Sequence, residues 1–102
     1  MPSAFRVDYS PTADRHLSEI ESYIAREASP AIAMRYIDQI VKRCDSLAVF
    51  PRRGTPRDDL RPGLRTIAFR RRVTIAYLVE AERVVIVAIR YAGREIAELL
   101  PD

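Results

Sequence analysis

Apolar and polar positions alternate over Phe5-Arg-Val-Asp-Tyr9, the period of a short half-buried strand. The period then changes. Ser10 followed by Pro11 supplies a side-chain cap and a proline at the first helical position. Ala13, Leu17, Ile20 and Ile24 recur at helical spacing, with Arg15, Glu19, Arg26 and Glu27 off that stripe. Ser29-Pro30 repeats the start signal, and Ala33, Ile37, Ile40, Cys44 and Leu47 carry a second stripe until Pro51 stops it. Helices are therefore expected over Pro11–Glu27 and Pro30–Val49. With almost no linker between them they form a hairpin, each arm offering one apolar face.

Residues 51–63, PRRGTPRDDLRPG, have no periodicity and hold three prolines and two glycines. They predict a loop long enough to be a candidate functional segment, with Gly54 and Gly63 as turn residues. Leu64–Phe69 and Val73–Val79 read as strands, and Val73, Ile75, Tyr77 and Val79 share one face of the second. After the polar turn Glu80-Ala-Glu-Arg83, Val84–Ile89 is apolar throughout, as suits a central strand covered on both sides. Ala92-Gly93 breaks that strand, and Arg94–Leu100 reads as a short helix before Pro101. The expected fold is α+β, in the order β-α-α-β-β-β-α, with three consecutive antiparallel strands in one domain spanning residues 1–102.

Composition narrows the class. Apolar content of 48% and charged content of 30% are those of a globular chain. No apolar run approaches the roughly 18 residues of a membrane helix, and the first ten residues lack the apolar centre of a secretory signal. A cytoplasmic location and no membrane partner are expected. Cys44 is the single cysteine, which excludes an internal disulfide and cannot build a zinc site alone. It falls on the apolar stripe and reads as a small core residue.

Charge changes the picture more. The net charge is only +3, yet eight arginines stand between Arg52 and Arg72 against Asp58 and Asp59. Three of them, Arg70, Arg71 and Arg72, sit where one strand turns into the next, a place that carries charge without burying it. If the last three strands alternate in direction, Arg90 and Tyr91 lie beside that turn with Arg94 close behind, and Arg65 lies near the opposite edge, towards Glu80 and Glu82. Such a one-sided basic surface attracts polyanions or acidic partners. The guanidinium is always charged and grips phosphate or carboxylate through a planar fork.

Other chemistry is sparse. His16 is the only histidine, with no partner visible beside Arg15, and reads as a solvated surface residue. A histidine triad or metal site is not expected. Asp58-Asp59 reads as turn chemistry, and Tyr77 as core. No glycine pattern cradles phosphate, so no cofactor and no metal are expected.

The succession of strand, helical hairpin, P-x-x-G loop, L-R-P-G-L-R, I-A-Y-L-V and V-V-I-V-A-I-R-Y-A-G-R-E resembles the ParE/RelE toxin superfamily, the toxin halves of bacterial type II toxin–antitoxin pairs. The resemblance covers essentially the whole chain and is strongest from Pro51 to Glu95. RelE-like members cleave messenger RNA on the ribosome with an arginine before the I-x-Y segment, an arginine after the last strand and a C-terminal tyrosine or histidine. Here Arg94 matches the second group, Thr74 stands in place of the first, and no tyrosine or histidine follows Tyr91. ParE-like members have a long hairpin and a His-x-x-Arg-acid segment, which Tyr91-Ala-Gly-Arg94-Glu95 resembles with tyrosine in the histidine position.

The resemblance thus implies a ParE-like toxin that inhibits DNA gyrase without catalysis and is neutralised by a cognate antitoxin in a hetero-oligomer. Arg65, Arg70, Arg71, Arg72, Arg90, Tyr91 and Arg94 are its expected target- or antitoxin-binding residues. The enzyme alternative is a ribosome-dependent endoribonuclease acting on mRNA with Arg65, Arg71, Arg90, Tyr91 and Arg94. A third possibility is a non-toxic basic module that binds nucleic acid.

Overall fold

The computed structural model describes residues 4–92 and residue 100. Strand β1 (Arg6–Tyr9) leads into the hairpin of α1 (Pro11–Glu27) and α2 (Pro30–Asp45), followed by β2 (Thr55–Pro56), β3 (Arg65–Phe69), β4 (Val73–Val79) and β5 (Arg83–Tyr91). Both helices start as the sequence implies. Ser10 Oγ accepts the Ala13 N–H at 3.0 Å and Ser29 Oγ that of Ile32 at 3.1 Å, each with proline just inside. Caps of this kind are worth about 1 kcal/mol apiece.

The strands form one five-stranded sheet in the order β1-β5-β4-β3-β2. The last three strands pair antiparallel, and β1 pairs parallel with β5, Arg6 opposite Arg83 and Tyr9 opposite Ile86. The span expected to be all loop contributes an edge strand, because Thr55 and Pro56 pair antiparallel with Thr66 and Arg65. A proline is tolerated there only because the strand is an edge.

The helical hairpin covers one face of the sheet. Ile20, Ile24, Ala33, Ile40, Cys44 and Leu47 pack on Ile67, Val73, Ile75, Tyr77, Val84, Ile86 and Ile89, and a smaller cluster of Leu64, Ala76, Val87 and Ala88 lies apart from them. Each large side chain fully buried here is worth about 1.5–3 kcal/mol. The unbroken apolar run of β5 serves both clusters through an irregularity. Ala76 pairs with Ala88 while Tyr77 pairs with Ile86, so Val87 is an extra residue. This bulge returns Ile89 to the hairpin side. Cys44 is fully buried, and burial pushes its thiol up to about 12.

Several expectations are corrected. The second helix stops being α-helical at Asp45 rather than Val49 and tightens into a 3-10 turn, Ser46–Ala48. The Ser46 hydroxyl donates to the Arg43 carbonyl at 2.6 Å, a local bond that competes with helix continuation. Gly63 takes φ +81° in a turn, but Gly54 is extended (φ −76°). What Gly54 supplies is room, since a Cβ would stand 2.8 Å from the Thr66 carbonyl oxygen.

His16 is buried, not solvated. Strand β1 pairs with β5 only as far as Ile86, leaving the rest of that edge to the start of α1. The Ser10 N–H donates to Ile86 O at 2.9 Å, Ser10 Oγ donates to Val87 O at 3.2 Å, and His16 Nδ1 accepts the Ile89 N–H at 3.1 Å. The helix thus satisfies a sheet edge from which the strand has already turned away. The expected helix over Arg94–Leu100 lies outside the described residues apart from Leu100, which packs against the smaller cluster.

Candidate functional site: an arginine turn beside an aromatic row

The turn between β3 and β4 is three arginines long. Phe69 pairs with Val73, and Arg70 takes φ 54° to reverse the chain. Its guanidinium is held on three sides: Nη2 donates to Gln39 Oε1 at 2.7 Å, and the group lies 5.2 Å from the Phe69 ring centre and 6.0 Å from that of Tyr36. Stacking on an aromatic face adds attraction without neutralising the charge. Arg71 and Arg72 are exposed.

The antiparallel register brings the end of β5 alongside. Val73 pairs with Tyr91 and Thr74 with Arg90, and the Ala92 N–H donates to the Arg72 carbonyl at 2.8 Å. Arg90 is fixed by neutral oxygens. Its Nε and Nη2 both reach the Thr74 hydroxyl, and Nη1 donates to Ala92 O at 2.8 Å. Tyr91 belongs to a row of rings that crosses the hairpin: Tyr23 to Tyr91 at 5.8 Å, Tyr91 to Tyr36 at 5.9 Å and Tyr36 to Phe69 at 5.9 Å, all edge to face. Burial raises the Tyr36 hydroxyl above its ordinary value, reinforced by Tyr91 and opposed by Arg70 and Arg72. Between α1 and the end of β5 runs a cleft of about 300 Å³ lined by His16, Glu19, Ile20, Tyr23, Ile89, Tyr91 and Ala92.

Arg70, Arg71, Arg72, Arg90 and Tyr91 are thus one place. Arg65 is not part of it. Its partner across the sheet is Tyr77, at the far end of β3 from the turn, and its Nη1 donates to the carbonyls of Arg52 at 2.9 Å and Gly54 at 2.8 Å instead of reaching towards Glu80 or Glu82. Glu80 accepts from Arg83 at 2.8 Å. The eight arginines from Arg52 to Arg72 therefore divide between the two ends of β3. Arg94 lies outside the described residues.

Ion pairing avoids this surface. Among the described residues, carboxylates pair with Arg6, Arg15, Arg57 and Arg83, whereas Arg43, Arg53, Arg65, Arg70 and Arg90 are oriented by backbone carbonyls, hydroxyls and an amide. Their positive charge is positioned and, among the described residues, not paired with a carboxylate, which suits binding an anion or an acidic surface. Asp58 and Asp59 are turn chemistry: Asp58 Oδ1 accepts the Gly63 N–H at 2.8 Å, and Arg57 beside Asp59 holds its carboxyl below the usual range. Among the described residues no three His, Cys, Asp or Glu side chains gather as a metal site, and no helix is long and apolar enough to cross a membrane.

Sequence reasoning did not find the ring partners Tyr23, Tyr36 and Phe69, or the holders Gln39 and Thr74. Tyr36 lies three residues after Ala33, on the border of the apolar stripe, which was the available signal.

The chain matches a family model described as ParE toxin of type II toxin–antitoxin system, parDE, over residues 7–96. A solved structure, the chromosomal ParDE TA system from P. aeruginosa, superposes with a TM-score of 0.77 at 20% sequence identity, over 88% of this chain and 98% of that one. At that identity the likeness is one of fold. No curated protein matches the sequence.

Proposed function

The chain belongs to the ParE toxin family of type II toxin–antitoxin systems, and on that premise we propose that it inhibits DNA gyrase by binding, without bond-breaking chemistry of its own, and is silenced by a cognate antitoxin. The observation that carries this reading is the arginine turn. Arg70 and Arg90 are aimed by neutral oxygens, Arg71 and Arg72 are exposed, and none of the four meets a carboxylate among the described residues. A preset positive surface speeds encounter with an acidic partner and fixes its register.

The antitoxin's site in this reading is the hairpin–sheet junction. The cleft beside Tyr23 and Tyr91 offers apolar wall to an amphipathic segment, and acidic residues on that segment would meet the neighbouring arginines. The ribonuclease alternative needs Arg65 together with Arg71, Arg90, Tyr91 and Arg94, and Arg65 is at the other end of β3 from Arg71.

Purified protein assayed in parallel for gyrase supercoiling and for ribosome-dependent mRNA cleavage decides between the two. Loss of supercoiling with intact message is the expected result. Specific cuts in the ribosomal A site, with supercoiling untouched, would overturn it.

A further inference from the structure

Beyond the C-terminal end of α2 the chain makes a feature that the arginine turn does not explain. Phe50 adopts φ 55° and ψ 60°, the left-handed region, and is 75% exposed, the most exposed of the large apolar side chains described. Glycine or asparagine fills such a position at little cost, whereas a bulky L-residue there is strained. A side chain so exposed contributes little to the core in return. Backbone and side chain are thus both placed against the interest of folding alone.

The neighbourhood holds the strain in place. Pro51, next in the chain, is buried, and its carbonyl accepts the buried Tyr77 hydroxyl at 2.8 Å. The same hydroxyl accepts the Gly54 N–H at 3.0 Å, and Arg65 grips the carbonyls of Arg52 and Gly54. Arg53 donates to the Ser46 hydroxyl at the end of α2. The exposed Arg52 and Arg53, which follow Phe50 in the chain, have no carboxylate partner among the described residues. With Phe50 and Pro51 they line an open recess of about 400 Å³. Tyr36, in the aromatic row, is nine residues before the end of α2 at Asp45, about 14 Å by helix rise, so this knob is a second surface.

We propose that Phe50, which shares its recess with Arg52 and Arg53, is a preset anchor that enters an apolar pocket rimmed by carboxylates on the protein this toxin inhibits. The proposal rests on the reading of the chain as a binding inhibitor and adds the contact through which it binds. Aromatic side chains beside arginine are the residues that dominate interfaces when buried in a partner's pocket, and a side chain carried on backbone already fixed by its neighbours costs less to order on binding.

Phe50→Gly separates this role from a structural one, because it removes the anchor and relieves the backbone. The test compares wild type, Phe50→Gly and Phe50→Leu for thermal midpoint, gyrase supercoiling inhibition, growth arrest on induction, and anisotropy with a labelled DNA duplex. Phe50→Gly is expected to melt at or above the wild-type temperature, yet to require about tenfold more protein for inhibition, with Phe50→Leu in between. Wild-type potency in Phe50→Gly overturns the anchor while leaving gyrase as the target. If the wild type does not inhibit gyrase, that target falls, and growth arrest decides the anchor: equal arrest by Phe50→Gly overturns it, and lost arrest supports it. A wild type that neither inhibits nor arrests overturns both. If Phe50→Gly loses affinity for naked duplex in the same proportion as potency, the ring meets bases, and the protein pocket is overturned.

Discussion

The phenolic oxygen of Tyr77 accepts the N–H of Gly54 at 3.0 Å, and its hydroxyl hydrogen goes to the Pro51 carbonyl at 2.8 Å. One buried side chain thus fixes both ends of the short turn from Pro51 to Gly54 that leads into β2. Burial is the main reason its hydroxyl is raised above the ordinary tyrosine value, with the Gly54 N–H and the positive charges of Arg65, Arg53 and Arg43 pulling the other way. Tyr77→Phe keeps the ring and orphans two backbone groups. It is expected to cost about 2 kcal/mol in urea denaturation. Gly54→Ala is expected to cost more, because its Cβ would meet the Thr66 carbonyl oxygen at 2.8 Å, backbone that cannot swing aside. A Tyr77→Phe variant as stable as wild type would remove the hub from this account.

His16 completes the edge of β5 by accepting the Ile89 N–H at 3.1 Å. His16→Leu keeps apolar bulk and leaves that N–H without its acceptor, so a loss of about 1–3 kcal/mol is expected. His16→Gln, which carries an acceptor oxygen, is expected to recover part of it. Amide hydrogen exchange at Ile89 reads the effect directly, faster in the leucine variant and partly restored by glutamine. Unchanged protection in His16→Leu would mean that the bond does not hold the strand edge.

The same residue marks where the fold stopped being legible. Ser10-Pro11, Ser29-Pro30 and the two apolar stripes are local signals, and they place both helix starts where the structure has them. His16 is three residues from Ala13 and four from Ile20, on the buried stripe, but its partner is 73 residues away. Nothing local reports that β1 ends too early to cover β5. The arginine turn was legible because hairpin geometry is also local: once β3, β4 and β5 alternate, Arg90 and Tyr91 must return to it. Arg65 was misdirected because its contacts are carbonyls of the Pro51–Arg53 turn and Gly54, set by tertiary packing rather than by pairing register.

Tyr9 makes an opposite case to Tyr77. Its hydroxyl is buried beside the Cys44 thiol without a hydrogen-bond partner among the described residues, and burial raises it well above the ordinary range. A polar atom desolvated without a partner is a cost that its removal relieves. Tyr9→Phe is therefore expected to leave stability unchanged or raise it by up to about 1 kcal/mol, read as the denaturation midpoint at constant slope. A clear loss of stability would show that the hydroxyl is satisfied in solution.

Arg71 and Arg72 are exposed and have no side-chain partner among the described residues, whereas Arg90 is fastened by Thr74 and Ala92. The three arginines should separate stability from binding. The double reversal Arg71→Glu, Arg72→Glu removes no side-chain hydrogen bond or ion pair among the described residues, so stability is expected within about 0.5 kcal/mol of wild type. If an acidic partner is gripped at this turn, the reversal slows association and flattens its dependence on salt, because rim charges act mainly on encounter. Arg90→Ala frees the Thr74 hydroxyl and the Ala92 carbonyl and is expected to lower stability as well as affinity. Stopped-flow association with the purified partner at several ionic strengths, beside urea melts of the same variants, reads both quantities. A double reversal that binds as fast as wild type at low salt would show that the partner's acidic surface lies elsewhere.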